Sequence, residues 1–183
     1  MNEQVILVDT ADRPVGQMEK MQAHREGRLH RAFSVFLFND HDQVLLQRRA
    51  LEKYHSGGLW SNTCCSHPRP GEDTQVAAER RLFEEMGITC RVFPAFSFVY
   101  EVALDQGLTE HEYDHVFTGQ FSGTPEINPE EVVDWAYRDV AEVEADLLQN
   151  PARYSEWFRI AFPELVKRRG HGAEGMGVKG CKL

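Results

Sequence analysis

Apolar positions along the chain follow two different spacings, and together they predict strands interleaved with helices. The run 31–38 reads RAFSVFLF and is apolar at neighbouring positions, which is typical of a strand buried on both faces. A polar turn at 39–42 separates it from a second apolar run at 44–47, so we expect an antiparallel hairpin there. Further strands are predicted at 4–8, 91–104, 110–121 and 132–137.

The segment 65–88 has the pattern of a loop, a helix and a glycine stop. Asp73 is a suitable N-cap for the helix, and Gly87 suits the left-handed position that often follows a helix. Between them an apolar stripe recurs every four residues, at Ala78, Leu82 and Met86. We therefore expect one side of this helix to face the core.

Two pairs of acidic residues stand out within the predicted elements. Glu84 and Glu85 stand near the C-terminal end of the predicted helix, where the helix dipole disfavours negative charge unless a cation or a basic group compensates. Glu110 and Glu112 alternate along a predicted strand and so share one face of it, with Asp114 in line. The placement of Glu84 and Glu85 indicates a metal.

Three further helices are predicted, at 17–25, at 139–149 with Asp139 as cap, and at 154–169. The first places Lys20 and His24 four residues apart on one face. Helices interleaved with strands and hairpins favour an α/β sandwich, in the broader α+β sense, around a mixed sheet.

The length of 183 residues fits one domain, which we assign to residues 1–169. The range 170–183 contains glycines without periodicity and is predicted to be a loose tail.

Composition and charge narrow the classes of partner. The net charge of -9 argues against nucleic acid, because nucleic-acid binders present a basic face to phosphates. It does not exclude an anionic small molecule, since local basic residues and bound cations set the field inside a pocket. The cysteines lack the spacing of a zinc ribbon or a disulfide framework, so we expect reduced thiols at Cys64, Cys65, Cys90 and Cys181. No apolar run reaches the ~18 residues of a membrane span and no leader pattern is present, so we expect a soluble, cytoplasmic protein with no membrane partner.

The helical segment and the loop before it resemble the Nudix box. The matching positions are Glu72, Arg80, Leu82, Glu84, Glu85, Gly87 and Ile88. Two positions depart from the box: Ser66 stands at its first glycine, and Arg81 replaces the glutamate with which Nudix hydrolases bind metal and activate water. Together with the preceding WSNTCCSHP at 60–68, this altered box resembles the type I isopentenyl-diphosphate isomerases. The resemblance implies a Nudix-type α/β/α sandwich around a mixed sheet.

The resemblance also implies a metal centre. Without a family, scattered histidines are more often surface or hydrogen-bonded residues than ligands. Isomerases of this family place three histidines and a Glu-x-Glu pair at positions that are all filled here, by His24, His30, His67, Glu110 and Glu112. Such a His₃Glu₂ set suits an octahedral divalent ion, Mn²⁺ foremost, with Zn²⁺ or Fe²⁺ as alternatives.

Double-bond migration in isopentenyl diphosphate requires two acid/base groups in a water-free pocket, because water would trap the tertiary carbocation. By resemblance these groups are Cys65 and Glu112, assisted by Tyr100, with Trp157 as the aromatic face that stabilises the cation. Taken singly, Cys65 could be a small buried hydrophobe, and Tyr100 and Trp157 could be core aromatics. Which of Cys65 and Glu112 protonates the substrate is left open by the sequence.

The diphosphate needs positive charge, which the resemblance assigns to Lys20, Arg49, Lys53 and Arg81. It also implies a Mg²⁺ held by Glu85 and by the carbonyl of Cys65, with no flavin. We expect a monomer or a weak homodimer. Two alternatives stay open: a Nudix diphosphohydrolase acting on a nucleoside diphosphate derivative, and a non-enzymatic domain that binds metal or phosphate through a degenerate box.

Overall fold

The computed structural model describes residues 3–173, with side chains to residue 170. The strands are β1 (Gln4–Val8), β2 (Pro14–Glu19), β3 (His30–Phe38), β4 (Gln43–Arg49), β5 (Trp60–Ser61), β6 (Cys64–Ser66), β7 (Val92–Ala103), β8 (Thr109–Gln120) and β9 (Val132–Asp139). The helices are α1 (Lys20–Glu26), α2 (Thr74–Met86), α3 (Val140–Gln149) and α4 (Glu156–Ala173). Single 3₁₀ turns lie at Asp105–Gly107 and Pro151–Arg153.

Strand β3 is the centre of a mixed sheet. It pairs antiparallel with β1, β4 and β6 and parallel with β8, so it has neighbours along both edges. Strand β7 forms an antiparallel hairpin with β8, and β9 pairs antiparallel with β4. The mixed sheet predicted from the sequence is confirmed, and β3 is its buried central strand.

The two faces of β3 pack against different helices because successive side chains on a strand point to opposite sides. Phe33, Val35 and Leu37 belong to the core that is closed by α2. Phe36 and Phe38 belong to the core that is closed by α3 and α4. Each fully buried phenylalanine of this kind contributes on the order of 2 kcal/mol through removal of apolar surface from water. The result is a three-layer α/β/α arrangement.

Helix α2 begins and ends where the sequence predicts. The Asp73 carboxylate accepts hydrogen bonds from the backbone N–H groups of Gln75 and Val76, at 2.9 and 3.1 Å. Gly87 has a left-handed φ of +65°, and a Cβ there would lie 2.6 Å from the carbonyl oxygen of Glu126. Glycine is therefore required both by the backbone conformation and by the close approach of the 126 segment.

The first predicted helix was placed too early. Residues 17–19 are the end of β2 and pair with β1, and α1 begins only at Lys20. The Glu19 side chain caps it by accepting from two backbone N–H groups. Pairing with the apolar β1 outweighs the weak helical pattern of these three residues, yet Lys20 and His24 remain four apart on α1.

Three smaller differences appear along the chain. Cys64–Ser66 forms a short strand rather than part of a loop. Asp139 stands at the N-terminus of α3 but makes no capping bond, because its carboxylate accepts from Gln43 Nε2 at 3.1 Å. Helix α4 continues to Ala173, into the predicted tail, and the remainder of that tail lies outside the described residues. Within residues 3–173, no helix is long and apolar enough to cross a membrane.

Candidate active site

All thirteen residues singled out from the sequence lie together at one pocket beside β3. The pocket is lined by ten of them: Lys20, Arg49, Lys53, Cys65, His67, Arg81, Glu85, Glu110, Glu112 and Trp157. The other three, His24, His30 and Tyr100, are buried behind its wall and contact lining residues.

Three histidines and one carboxylate converge at the inner end of this pocket. His24 and His30 each bind a main-chain carbonyl oxygen through Nδ1 at 2.7 Å, which turns both Nε2 atoms inward. His30 Nε2 lies 3.2 Å from His67 Nε2, and His67 Nε2 lies 2.9 Å from Glu112 Oε1. The ligand atoms of these four residues all lie within 4.8 Å of one another.

The chemistry of this donor set fits a divalent cation. His24 Nε2 is buried and has no hydrogen-bond partner. Burial lowers the pKa of His24 and lowers the pKa of His67 to about 4, so both rings are neutral at pH 7, as metal ligands must be. Burial alone raises the pKa of Glu112, but hydrogen bonds with His30 and His67 outweigh it and hold that pKa well below its usual range. A neutral-imidazole and carboxylate set of this kind is suited to Mn²⁺, Zn²⁺ or Fe²⁺.

Glu110 and Glu112 share one face of β8, as the alternation of strand side chains predicts. The Tyr100 hydroxyl donates to Glu112 Oε2 at 2.7 Å and lies 3.1 Å from Glu110 Oε2. Burial, followed by the nearby charge of Glu112, raises the pKa of Glu110 well above its usual range. Burial also raises the pKa of Tyr100, so its hydroxyl stays protonated. The two carboxyl groups therefore differ in pKa, and Glu112 ionises before Glu110 as the pH rises.

Cys65 faces the pocket, whereas the adjacent Cys64 is fully buried in the core under α2. This follows from strand alternation in β6. Arg49 Nη1 is 3.7 Å from Cys65 Sγ. Burial raises the pKa of Cys65 to about 12 even though the Arg49 charge lowers it. The thiol is therefore protonated at neutral pH. Cys64, Cys65 and Cys90 are all free thiols.

The four predicted diphosphate cations all line the same pocket. Arg81 donates to Glu85 Oε1 at 2.6 Å and to Glu131 Oε1 at 3.1 Å. Lys53 pairs with the other oxygen of Glu131. Arg49 lies over the Trp157 ring, with 5.0 Å from guanidinium carbon to ring centroid.

Lys20, the fourth cation, pairs with Glu3 at 2.9 Å and lies 4.9 Å from the Tyr54 ring centroid. Carboxylates thus offset the charge of Lys20, Lys53 and Arg81, while Arg49 contacts a thiol, a main-chain carbonyl and an aromatic ring.

The carboxylate of Glu85 is buried at the wall of the pocket. Besides Arg81 it contacts Gln47, whose Nε2 donates to Glu85 Oε2 at 3.0 Å. Trp157 is held by a hydrogen bond from its Nε1 to Asn62 Oδ1 at 3.0 Å, which fixes the plane of its ring. A neutral amide therefore helps to orient each residue, together with Arg81 in the case of Glu85.

The remaining charged residues of the box hold the loop to the helix. Arg80 donates to Glu72 at 2.7 and 2.9 Å and to Glu84 at 3.0 and 3.2 Å. Glu72 also accepts from the backbone N–H of Arg69 at 2.8 Å. None of these residues lines the pocket.

Sequence reasoning missed several members of the site. His55 contacts Glu110, with 3.2 Å between Nε2 and Oε1, and Glu131 bridges two of the cations. Neither stands in a recognisable pattern, so no sequence signal marked them. Asp114 was marked only by its alternation with the two glutamates. It accepts from Ser34 Oγ at 2.7 Å, and burial raises its pKa to about 8.

Comparison with known proteins agrees with this geometry. The NUDIX domain model matches residues 28–158. Isopentenyl-diphosphate Delta-isomerase 2 of Aromatoleum aromaticum is 51% identical over 179 residues, covering 98% of this chain and 95% of that protein. The isopentenyl-diphosphate Delta-isomerase of Pectobacterium atrosepticum is 51% identical over 162 residues, covering 88% of this chain and 90% of that protein.

Solved structures show the same fold at low identity. A Deinococcus radiodurans protein superposes with a TM-score of 0.73 at 23% identity, covering 91% of this chain and 98% of that one. A MutT protein from Methanosarcina mazei superposes with a TM-score of 0.64 at 17% identity, covering 77% of this chain and 95% of that one.

The fold and the altered box define the class: this is a NUDIX domain protein. Within that class, the identity and coverage of its relatives show that the chain belongs to the isopentenyl-diphosphate Delta-isomerase family.

Proposed function

We propose that the chain interconverts isopentenyl diphosphate and dimethylallyl diphosphate by metal-dependent proton transfer, with Cys65 and Glu112 as its two acid/base groups. The observation that carries this assignment is their placement on opposite edges of β3. Cys65 lies on β6, which pairs with one edge, and Glu112 lies on β8, which pairs with the other. Both side chains line the same pocket.

Such a placement suits the chemistry. One group adds a proton to the terminal alkene carbon, the electron pair of the double bond forms the new C–H bond, and positive charge develops on the tertiary carbon. The other group then removes a proton from the neighbouring carbon, and the electrons of that C–H bond form the new double bond. The net change in protons is zero, so substrate and product are isomers. Two acid/base groups on opposite sides of the substrate are needed for this sequence.

Each group has the protonation state that its role requires. Cys65 is a thiol at neutral pH, and Glu112 is a carboxylate. In one direction the thiol supplies a proton and the carboxylate accepts one, and in the reverse direction the roles exchange. Tyr100 donates to Glu112 and keeps its carboxylate oriented. The ring of Trp157 offers an aromatic face to the developing cation.

We assign one Mn²⁺ or Zn²⁺ to the group of His24, His30, His67 and Glu112, with Glu110, from the same face of β8, as the fifth ligand of a His₃Glu₂ set. A metal bound there supplies positive charge that lowers the proton affinity of Glu112 and fixes its position. Glu85 is assigned to Mg²⁺ that accompanies the diphosphate, together with the Cys65 carbonyl. Lys20, Arg49, Lys53 and Arg81 bind the diphosphate oxygens by charge-assisted hydrogen bonds.

The alternative, a Nudix diphosphohydrolase, is disfavoured at a specific residue. A hydrolase of that class needs a carboxylate where this chain has Arg81, whose guanidinium donates to Glu84, Glu85 and Glu131. The relatives with about half identity are named as isomerases. We therefore place the chain in isoprenoid metabolism, with a small-molecule diphosphate as its substrate and a cytoplasmic location as part of the proposal.

Deuterium incorporation tests the proposal. Purified protein is incubated with isopentenyl diphosphate, Mg²⁺ and Mn²⁺ in D₂O and followed by NMR, alongside the variants Cys65→Ala and Glu112→Gln and the control Cys90→Ala, whose thiol lies away from the pocket. We expect labelled dimethylallyl diphosphate from the wild type and the control, and none from the other two. Release of phosphate or monophosphate without labelling would replace the isomerase by the hydrolase.

A further inference from the structure

His55 lies at the metal centre, although neither the box nor the histidine pattern marked it. The residue is only 4% exposed. Its Nε2 is 3.2 Å from Glu110 Oε1, and its Nδ1 is 3.2 Å from Ser56 Oγ. Both ring nitrogens are therefore engaged, one toward the centre and one toward its own loop.

Neighbouring rings fix the orientation of this imidazole. Tyr54 and Trp157 meet it edge to face, with centroid distances of 4.3 and 5.8 Å. His24 stacks on it at 5.9 Å. An imidazole confined on three sides can hold its Nε2 toward one fixed point, which is the Glu110 carboxylate.

The ligand atoms of His24, His55 and Glu110 lie within 4.8 Å of one another, as those of the larger set do. The two groups share His24, and His24 has only Nε2 free because Nδ1 is bonded to a carbonyl oxygen. One nitrogen lone pair binds one ion. The set of His24, His30, His67 and Glu112 offers more ligands to that ion, so the smaller group does not constitute a second centre.

We propose that His55 is a positioning residue for the metal centre, which donates its Nε2–H to Glu110 Oε1 and thereby sets the orientation of that carboxylate toward the ion. Tyr100 lies 3.1 Å from the other oxygen of Glu110, so the carboxylate is held from both sides. The inference rests on the proposed function, because that proposal assigns Glu110 as a ligand of the metal. Groups that orient a ligand in this way typically change metal affinity 10–100-fold.

A matched pair of amides tests the role of His55. The side-chain nitrogen of His55→Gln reaches about as far as Nε2 and keeps a donor to Glu110, whereas that of His55→Asn reaches only the Nδ1 position. Mn²⁺ affinity is measured by competition with a chromophoric chelator, without substrate. We expect His55→Asn to weaken affinity 10–100-fold and His55→Gln to recover most of the loss. His41→Asn, on the exposed turn before β4, is the control and should bind as the wild type does.

A double-mutant cycle with Glu110→Gln shows whether His55 acts through Glu110. We expect His55→Asn to cause little further loss in that background, because the carboxylate that it orients is already gone. The visible spectrum of the Co²⁺-loaded protein should be unchanged in His55→Gln, since the ligands are the same.

Other results would overturn the inference. His55 would be a ligand itself if the Asn and Gln variants lost equal Mn²⁺ affinity, if that loss added to the loss in Glu110→Gln, and if the Co²⁺ spectrum changed. Unchanged affinity in His55→Asn would leave it no part in the centre. If His55→Asn does not fold, His55→Leu replaces it, because leucine keeps much of the bulk of the ring but has no donor: a 10–100-fold loss that His55→Gln does not show supports positioning, and unchanged affinity in His55→Leu contradicts it. The metal affinity is measured without substrate, so its result does not depend on catalysis. Absence of isomerase activity would therefore contradict the proposed function but not the role of His55.

Discussion

His30 and Glu112 lie side by side across the parallel pairing of β3 and β8, with 3.4 Å between His30 Nε2 and Glu112 Oε1. They are distant in the chain, and only the register of the two strands brings them into contact. A shift of that register by one residue would turn Glu112 to the opposite face of the sheet. The contact between His30 and Glu112 therefore depends on the central strand pairing.

Removal of His30 should weaken the metal centre severely. In His30→Gln the amide is a poor ligand for Mn²⁺ or Zn²⁺, and we expect metal affinity to fall on the order of 100-fold. Loss of a residue that only orients a ligand typically costs 10–100-fold, so loss of a ligand itself should cost at least as much. Chelator competition measures it. His111→Gln, on β8 but bonded to the carbonyl oxygen of Gly27, should bind metal normally. Equal affinities for His30→Gln and the wild type would remove His30 from the centre.

Arg81 should contribute to substrate binding as a cation. In Arg81→Gln the charge is lost, and we expect KM for isopentenyl diphosphate to rise 10–100-fold, equivalent to ~1.5–3 kcal/mol for hydrogen bonds to a charged group. Steady-state kinetics with saturating Mg²⁺ provides the measurement, and Arg168→Gln, on the surface of α4, is the control. An unchanged KM together with a large fall in kcat would contradict diphosphate binding by this side chain.

The sequence predicted best those features whose causes are local. The boundaries of α2 depend on Asp73 and Gly87 within the helix itself, and the buried strand β3 depends on its own continuous apolar run. Strand alternation correctly put Glu110 and Glu112 on one face. The resemblance supplied the rest of the site, since scattered histidines have no local signal of their own.

Features that depend on contacts between distant segments could not be predicted. Residues 17–19 join β1 because a neighbouring apolar strand is present, and Asp139 bonds to Gln43 instead of capping α3 because β9 pairs with β4. The fold of their loops brings His55 to the pocket and Glu131 to two of its cations, and the identities of these residues alone do not predict either contact. The partners of a buried charge are set by the tertiary structure.

Trp157 should act through both its aromatic face and its N–H. In Trp157→Phe the face toward Arg49 is retained, and Asn62 Oδ1 loses one of its two donors but keeps Ser61 Oγ, so we expect the free energy of unfolding to fall by about 0.5–1.5 kcal/mol with a modest decrease in kcat. In Trp157→Leu we expect a larger decrease in kcat, because no aromatic face remains for the carbocation. Urea unfolding and steady-state kinetics separate the two effects. Equal kcat values in Phe and Leu variants would show that the ring does not stabilise the cation.

The pairing of Glu72 with Arg80 should make stability depend on pH. The hydrogen bond from Arg80 holds the pKa of Glu72 below its usual range, so the folded state binds this proton less readily than the unfolded state does. The contribution is therefore fully present above the unfolded pKa of about 4.3 and is lost as the pH falls through the lower folded pKa. We expect Glu72→Gln to lower the free energy of unfolding by about 1–2 kcal/mol at pH 7, with the difference from wild type vanishing at the acidic end. Urea titrations from pH 7 to about pH 3 in a chelating buffer measure this, with Glu101→Gln on the exposed face of β7 as control. A difference that stays constant over that range would mean that Glu72 acts by packing and not through its charge.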